Sequence, residues 1–360
     1  MKSMRIETYS LHPFTVPLTG PVVFAGEAVS ERAGLLVRLV DEDGREGWGE
    51  ASPLPGFSRE SLAVATQAMA DLLGRYAGQV VPADAMDPDG GWAQALDARA
   101  LPPSVRFGLE LAVANLMAAG TGRSLAALLA PQPHRWVVLN GLLMGHPMKM
   151  LGEAAAMVVA GYEAVKLKVG RRSVREEIRL VRALSEVLGA GVRLRLDANR
   201  AWDLDTALAF ARGVRDCPIE YIEEPLSDPA GLAAFTSASG MPVALDESLL
   251  ELTTLSEEQA YARAVVLKPT LLGGLIPSLR LARAAETLGL TVVISSSFET
   301  GVGTRGLVAL AAAGATVTPA GLDPYRWIRR DVLDPPLALS VPRLDAHALL
   351  ATPRRIRTGG

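Results

Sequence analysis

From residue 136 onward, short apolar segments alternate with longer amphipathic ones, and no other feature of the chain limits its fold so sharply. Strands are expected at 137–142, 164–169, 192–197, 219–223, 243–246, 264–268, 291–295 and about 315–319. The intervening stretches carry helix signals. Ser173 and Glu176 have capping-box spacing, Val174, Ile178, Val181 and Leu184 form one apolar face, and Gly189 supplies a stop. Asp203 is placed to cap the next helix, and 276–288 reads as another, with Pro277 in its first turn and Gly289 at its end. Strand–helix repeats imply a parallel sheet, and eight of them imply an α/β chain with a (β/α) barrel.

Residues 1–130 have a different, α+β texture. Segment 34–40 is strand-like, Asp43-Gly44 supplies turn chemistry before a strand at 47–51, and helices are expected near 59–77 and 103–119, with a loop at 82–91. The catalytic barrel is therefore expected over 136–322. A tail at about 325–360 lacks the rhythm and is expected to return to the first domain. Thirty-six basic against thirty-nine acidic residues, with no basic run, give no sign of a polyanion partner. The single cysteine, Cys217, excludes an internal disulfide framework and reads as a packing residue in a reducing compartment. The start, MKSMRIETYS, lacks a signal-peptide core, and apolar stretches such as 307–313 are too short to span a membrane. A cytoplasmic protein is expected, with no nucleic-acid or membrane partner; the sequence assigns no oligomeric state.

A barrel places its chemistry at the strand ends. Those ends carry Lys166 and Lys168 in AVKLKVG, Asp197 in LRLDANRAW, Glu223 in YIEEP, Asp246 in ALDES and Lys268 in VVLKP, with Glu299 after the seventh strand. The gaps from Lys168 through Asp197, Glu223 and Asp246 to Lys268 are 29, 26, 23 and 22 residues, each one barrel unit, so the groups converge. Lys166 and Lys168 share a strand face, as do Arg193, Arg195 and Asp197, and the helices claim the opposite, apolar face. Buried carboxylates at adjacent strand ends repel one another unless a cation joins them, and oxygen-only donors suit a hard ion such as Mg2+ or Mn2+. A hard cation on a substrate carboxylate stabilises an enediolate, and a lysine becomes a base when burial and a neighbouring cation depress its pKa. Lysines on both sides of a small-molecule carboxylate substrate permit racemisation, epimerisation or elimination.

Other signals are weaker. GVGTRG at 301–306 fits a helix-N-terminal anion contact better than a dinucleotide site, since it falls after the seventh strand. His12, His134, His146 and His347 lack paired metal-ligand spacing, and neither a nucleophile elbow nor a P-loop occurs.

The motifs K-x-K, D-A-N, E-E-P, D-E-S and K-P, in that order, resemble the muconate-lactonising branch of the enolase superfamily. Within it, EGWGEASPLPGFS at 46–58, VKLKVG, LRLDANRAW, IEEP, ALDES, VVLKPTLLGG and VISSSFE resemble the o-succinylbenzoate synthase family. The resemblance implies a modified TIM-type barrel under an α+β cap built from the N-terminal region and the C-terminal tail. It implies Asp197, Glu223 and Asp246 as Mg2+ ligands, with Mn2+ as a substitute, and enolase-type sites pair Mg2+ with a lysine or histidine base. Lys168 is then the base that later protonates the leaving hydroxyl, and Lys268 stabilises the enediolate through a cation–π contact with the ring. Lys166 tunes Lys168 or contacts the carboxylate, Asn199 and Arg195 support, and the backbone around Ser295 and Gly321 holds a succinyl carboxylate. Residues 18–30 and 53–58 would close over the substrate. The implied reaction is dehydration of 2-succinyl-6-hydroxy-2,4-cyclohexadiene-1-carboxylate to 2-succinylbenzoate in menaquinone biosynthesis. N-acylamino acid racemase or dipeptide epimerase is the alternative, although a dipeptide epimerase more usually carries paired acids after the last strand, where this chain has Gly321-Leu322-Asp323. Phe298 and Pro324-Tyr325-Arg326 match no element of the family pattern.

Overall fold

The computed structural model describes residues 4–24, 26–252 and 254–358. Residues 1–3, Ala25 in the expected closing segment, Thr253, and residues 359–360 of the tail lie outside the described residues. An antiparallel sheet opens the chain. β1 (Met4–Phe24) pairs with β2 (Glu27–Asp41), which pairs with β3 (Glu46–Ala51), and β4 (Val80–Val81) meets β1 at Met4 and Arg5 alone. The sequence reading has no β1, and its prolines explain why. Pro13 and Pro17 sit opposite Leu35 and Glu31, where β1 is an edge strand and a missing N–H leaves no ladder partner wanting.

Helices Leu62–Tyr76 and Pro103–Thr121 complete the cap close to their expected spans. The second is buried on almost every side, because it lies between the sheet and the barrel. Gly49 makes that approach possible: a Cβ there would lie 1.9 Å from the Gly108 carbonyl oxygen.

Next come β5 (Trp136–Val138), β6 (Gly141–Leu143), β7 (Ala164–Lys168), β8 (Arg193–Asp197), β9 (Ile219–Glu223), β10 (Val243–Leu245), β11 (Ala264–Leu267) and β12 (Thr291–Ile294). Strands β6 to β12 form one parallel seven-stranded sheet in sequence order. The first expected strand is split, its front half serving as β5 outside this sheet. The eighth does not form at 315–319. Instead Ala320 bridges Leu139 and Gly321 bridges Ser295, both parallel, so two residues close the ring. Pro319 has no N–H to extend that pairing. The helix signals are realised: Ser173 and Glu176 make the capping box, Asp203 caps at Thr206, and Gly189 and Gly289 take positive φ.

The tail holds β13 (Leu333–Asp334), β14 (Arg343–Asp345) and β15 (Arg355–Ile356). β14 pairs with β5, β13 with β15, and the tail touches the cap sheet through the Leu18–Ile328 bridge. Cys217 is half-buried against the main core. No helix among the described residues is long and apolar enough to cross a membrane.

Two cap glutamates join cap to barrel. Glu110 accepts the Ile276 N–H at 2.9 Å at the start of helix Leu275–Thr287 and the Arg106 Nε at 2.8 Å. Glu50 accepts Thr300 N–H (3.0 Å), Thr300 Oγ1 (2.6 Å) and Gly303 N–H (2.8 Å) at the start of helix Gly301–Ala313. GVGTRG is thus a helix-N-terminal anion contact whose anion is the protein's own Glu50. Each carboxylate is fully buried and satisfies orphan N–H groups at a positive helix end. Glu110→Ala should lower unfolding free energy by about 1–3 kcal/mol, since it leaves the Ile276 N–H at the helix start without its acceptor and leaves Arg106 to Asp97. Denaturant unfolding measures it, and a loss below about 1 kcal/mol would show that the cap does not depend on this contact.

Candidate active site

Strand register assembles the site. Lys168 pairs with Asp197 across β7 and β8, and Asp197 pairs with Glu223 across β8 and β9. Asp246 follows β10, and Lys268 follows β11. Lys166 Nζ donates to both Glu223 oxygens at 2.9 and 2.7 Å and lies 2.7 Å from Asp197 Oδ2. Lys168 Nζ donates to Asp197 Oδ2 and Asn199 Oδ1, each at 2.6 Å, and Lys268 donates to Asp246 Oδ2. Asp197 and Glu223 are wholly inaccessible, and Asp246 nearly so.

The three lysines experience different fields. Burial pushes the Lys168 ammonium down; Asp197 opposes that, and the neighbouring Lys166 and Lys268 charges add to it. Burial also disfavours charge on Lys166 and Lys268, but the carboxylates around them override it and hold both above the ordinary lysine value. Burial raises Glu223, reinforced by the Asp197 and Asp246 charges. For Asp197, burial is overcome by Lys166, Lys168 and Lys268, and its carboxyl is held well below the usual range.

Among the described residues no three His, Cys, Asp or Glu side chains are drawn together tightly enough, as they stand, to hold a metal ion. Ammonium groups occupy the carboxylates instead. The donor set still fits a hard divalent cation: three buried carboxylates on neighbouring strand ends, all oxygen. Glu247 Oε2, beside Asp246 and on the cavity wall, is a further buried acceptor without a donor.

Above the lysines lies a cavity of about 810 Å³. Lys166, Lys168, Asn199 and Lys268 line its floor, and Val22, Phe24, Leu54 and Phe57 of the cap form its roof. These roof residues pack with Leu18, Leu271 and Phe298 in an apolar cluster of their own. The roof falls within the segments 18–30 and 53–58.

The other expected residues separate. Ser295 and Gly321 line the cavity, but their N–H groups donate to Leu267 and Ile294, and the Ser296 N–H donates to Gly321. These three N–H groups take part in closing the barrel. Arg195 is fully buried and does not line the cavity. It donates to Glu220 (2.6 Å), Asn140 (3.1 Å) and the Pro319 carbonyl (2.7 Å), tying β8 to the closing segment. Arg193 is exposed. Glu299 leaves the convergent set, since it is buried and occupied by Thr270, Ser296 and Ser297. Phe298, at φ 63, lines the cavity edge-on to Phe24 at 4.9 Å. Pro324 also lines it, whereas the Tyr325 hydroxyl donates to Asp331 (2.6 Å) and Arg326 to the Leu142 carbonyl (2.6 Å).

Sequence reasoning missed Glu224 and Arg32. Glu224, at φ 41, accepts Asp246 N–H (2.9 Å), Ser248 N–H (2.8 Å), Ser248 Oγ (2.9 Å) and Arg200 Nε (3.2 Å), and so fixes the segment bearing Asp246. The doubled glutamate of YIEEP was its only signal. Arg32, fully buried, donates to the carbonyls of Ser52 (2.8 Å), Pro53 (3.0 Å) and Phe298 (3.3 Å), joining a cap loop to the barrel rim.

Residues 149–348 match the family described as Enolase C-terminal domain-like, and residues 6–116 match MenC, N-terminal domain. An o-succinylbenzoate synthase from Citrobacter koseri is 36% identical over 316 residues, covering 87% of this chain and 89% of that one. Another from Klebsiella pneumoniae is 33% identical over 354 residues, covering 96% and 99%. Among solved structures, the L-Ala-D/L-Glu epimerase from Bacillus subtilis superposes with a TM-score of 0.83 at 24% identity, covering 99% and 98%. The muconate lactonizing enzyme from Pseudomonas fluorescens superposes with a TM-score of 0.80 at 23% identity, covering 98% and 100%. Those two likenesses speak for the fold.

Glu224→Gln keeps the shape of the Asp246 support but removes its charge. It should cost about 1.5–3 kcal/mol of stability, the worth of a hydrogen bond to a charged group. Urea unfolding reads the change, and an unaltered midpoint would remove Glu224 from this role.

Proposed function

Because the chain belongs to the o-succinylbenzoate synthase family of the enolase superfamily, we propose that it is a Mg2+-dependent carbon–oxygen lyase of menaquinone biosynthesis. It converts 2-succinyl-6-hydroxy-2,4-cyclohexadiene-1-carboxylate to 2-succinylbenzoate and water by syn-elimination. The observation that carries this reading is the placement of two lysines around one buried carboxylate triad: Lys168, at the end of β7, meets Asp197, and Lys268, just after β11, meets Asp246.

Asp197, Glu223 and Asp246 would hold Mg2+, with Mn2+ as a substitute; when bound, the ion neutralises charge developing on the substrate carboxylate. Lys168 removes the proton beside that carboxylate and delivers a proton to the departing hydroxyl on the same face, so hydrogen and hydroxide leave together as water. Asn199 Oδ1 holds the Lys168 ammonium in place. Lys268, on the opposite side, remains a cation against the ring. Lys166 stays bound between Asp197 and Glu223 and biases Lys168 through its charge. The apolar roof excludes water while the ring aromatises. The enzyme works in the cytoplasm, where its free cysteine is stable.

Racemases and epimerases could use the same lysine pair. Against a dipeptide epimerase stands Asp323. This one acid after the closing segment is buried, accepts the Leu142 N–H at 2.8 Å, meets Arg326 at 3.2 Å, and does not line the cavity. It is not available to a substrate amine.

A spectroscopic assay of 2-succinylbenzoate formation with Mg2+ tests the reading. Wild type should turn over, and Lys168→Ala and Lys268→Ala should each lose roughly 10²–10⁴-fold in kcat. Wild-type protein that fails to turn over but racemises N-succinyl amino acids would overturn it. Chelation should abolish activity. Excess Mg2+ should raise the thermal midpoint of wild type, by about 2.7 kcal/mol of linkage at a hundredfold excess over Kd, and leave Asp246→Asn unmoved. Equal stabilisation of both proteins would remove Asp246 from the metal site.

A further inference from the structure

The dicarboxylate substrate of the proposed reaction, on which this inference rests, carries a second anionic group at the end of its succinyl arm. The N–H groups of Ser295, Ser296 and Gly321 are committed to the ladder, and that of Ser297 donates to Glu299. The remaining candidates are the cations that line the cavity. Lys166, Lys168 and Lys268 are each paired with buried carboxylates. Arg200 is held by Glu224, Ser248 and Glu251. Arg59 donates to the Leu250 carbonyl. Arg171 also lines the cavity, and its guanidinium meets no partner among the described residues.

The position of Arg171 is built rather than incidental. Its N–H and that of Arg172 both donate to Glu177 Oε1 at 3.0 Å, and Glu177 is fully buried at the start of helix Val174–Leu188. Gly170 precedes it at φ 77, where a Cβ would lie 2.4 Å from that of Ala201. The backbone leaving β7 is therefore clamped from both sides, so Arg171 projects from a fixed point. Two residues separate Lys168 from Arg171, so their Cα atoms are three steps and at most about 11 Å apart. One ligand can therefore meet both.

We propose that Arg171 is a specificity-determining residue that receives the distal carboxylate of the substrate's side arm. The planar guanidinium offers two parallel N–H donors to a carboxylate, a match that a single hydroxyl does not supply. The apolar roof of Val22, Phe24 and Leu54 covers the uncharged part of the ligand, and the charge is met at the mouth.

Calorimetric binding of two probes in the presence of Mg2+ tests this: 2-succinylbenzoate, and 2-butanoylbenzoate, which has a methyl in place of the distal carboxylate. Wild type should prefer the succinyl compound by about tenfold, and R171M should lose that preference while binding the butanoyl compound as wild type does. R171K should restore part of it. In turnover the loss in R171M should fall on KM rather than on kcat. A preference that R171M leaves intact, or its absence from wild type, overturns the proposal. Turnover of the cyclohexadiene by wild type with an unchanged R171M preference sinks this inference alone. An Arg171-dependent preference without wild-type turnover sinks the proposed reaction alone.

Discussion

Three carboxylates buried on adjoining strand ends set the terms for the rest of this molecule. Asp197, Glu223 and Asp246 have lost their water, and unpaired charges in such surroundings are costly. The chain answers with three ammonium groups. Lys166 bridges Asp197 and Glu223, Lys168 meets Asp197, and Lys268 meets Asp246. Positive side chains are thus required by the fold before any chemistry is asked of them. A divalent ion among the same oxygens would release lysine charge from its duty as counterion, which links binding of the ion to freeing of the base.

The same electrostatic device holds the two domains together. Glu50 and Glu110 are as buried as the triad, yet neither faces the cavity. Each accepts N–H groups at the start of a barrel helix, Glu50 from Thr300 and Gly303, Glu110 from Ile276, while Arg106 of the cap helix pairs with Glu110. Arg32 adds a third link, between Ser52, Pro53 and Phe298. Because the cap supplies the cavity roof, these links set where Val22, Phe24 and Leu54 lie relative to the lysines.

Much of this was legible in the sequence, for a physical reason. Parallel strands and their helices repeat at 22 to 29 residues, so lysines and carboxylates at that spacing had to meet. What escaped was pairing that leaves no periodic trace. β1 is an edge strand tolerant of Pro13 and Pro17, which read as breaks. The eighth barrel position is two residues, Ala320 and Gly321, after a proline. Glu299 has the sequence position of a site residue but is turned into the wall, where Thr270 and Ser296 hold it. Glu224 lies just past the end of β9 at φ 41, and this left-handed turn carries it to the segment that it secures, the one bearing Asp246. Side-chain direction at a strand end depends on the backbone beyond it, and φ of 44, 59 and 41 at Asn199, Arg200 and Glu224 is not written in residue type.

That left-handed backbone connects the electrostatics to the cavity. Asn199 and Arg200 leave β8 at positive φ, so the chain turns at once after Asp197. Asn199 can then accept from Lys168 while donating to Glu247 at 2.9 Å. Arg200 is turned to Glu224 and Glu251. Had the strand run on in extended form, Asn199 would follow Asp197 on the same face but about 7 Å further along, beyond reach of the hydrogen bond its backbone N–H now makes to Asp197 Oδ1 at 3.1 Å. Conformational strain of order 1–3 kcal/mol per residue persists only where surrounding contacts over-determine it, and here the contacts are those that seat Lys168 and Asp246. The strained residues and the buried charges therefore form one unit: the charges hold the turns, and the turns aim the charges.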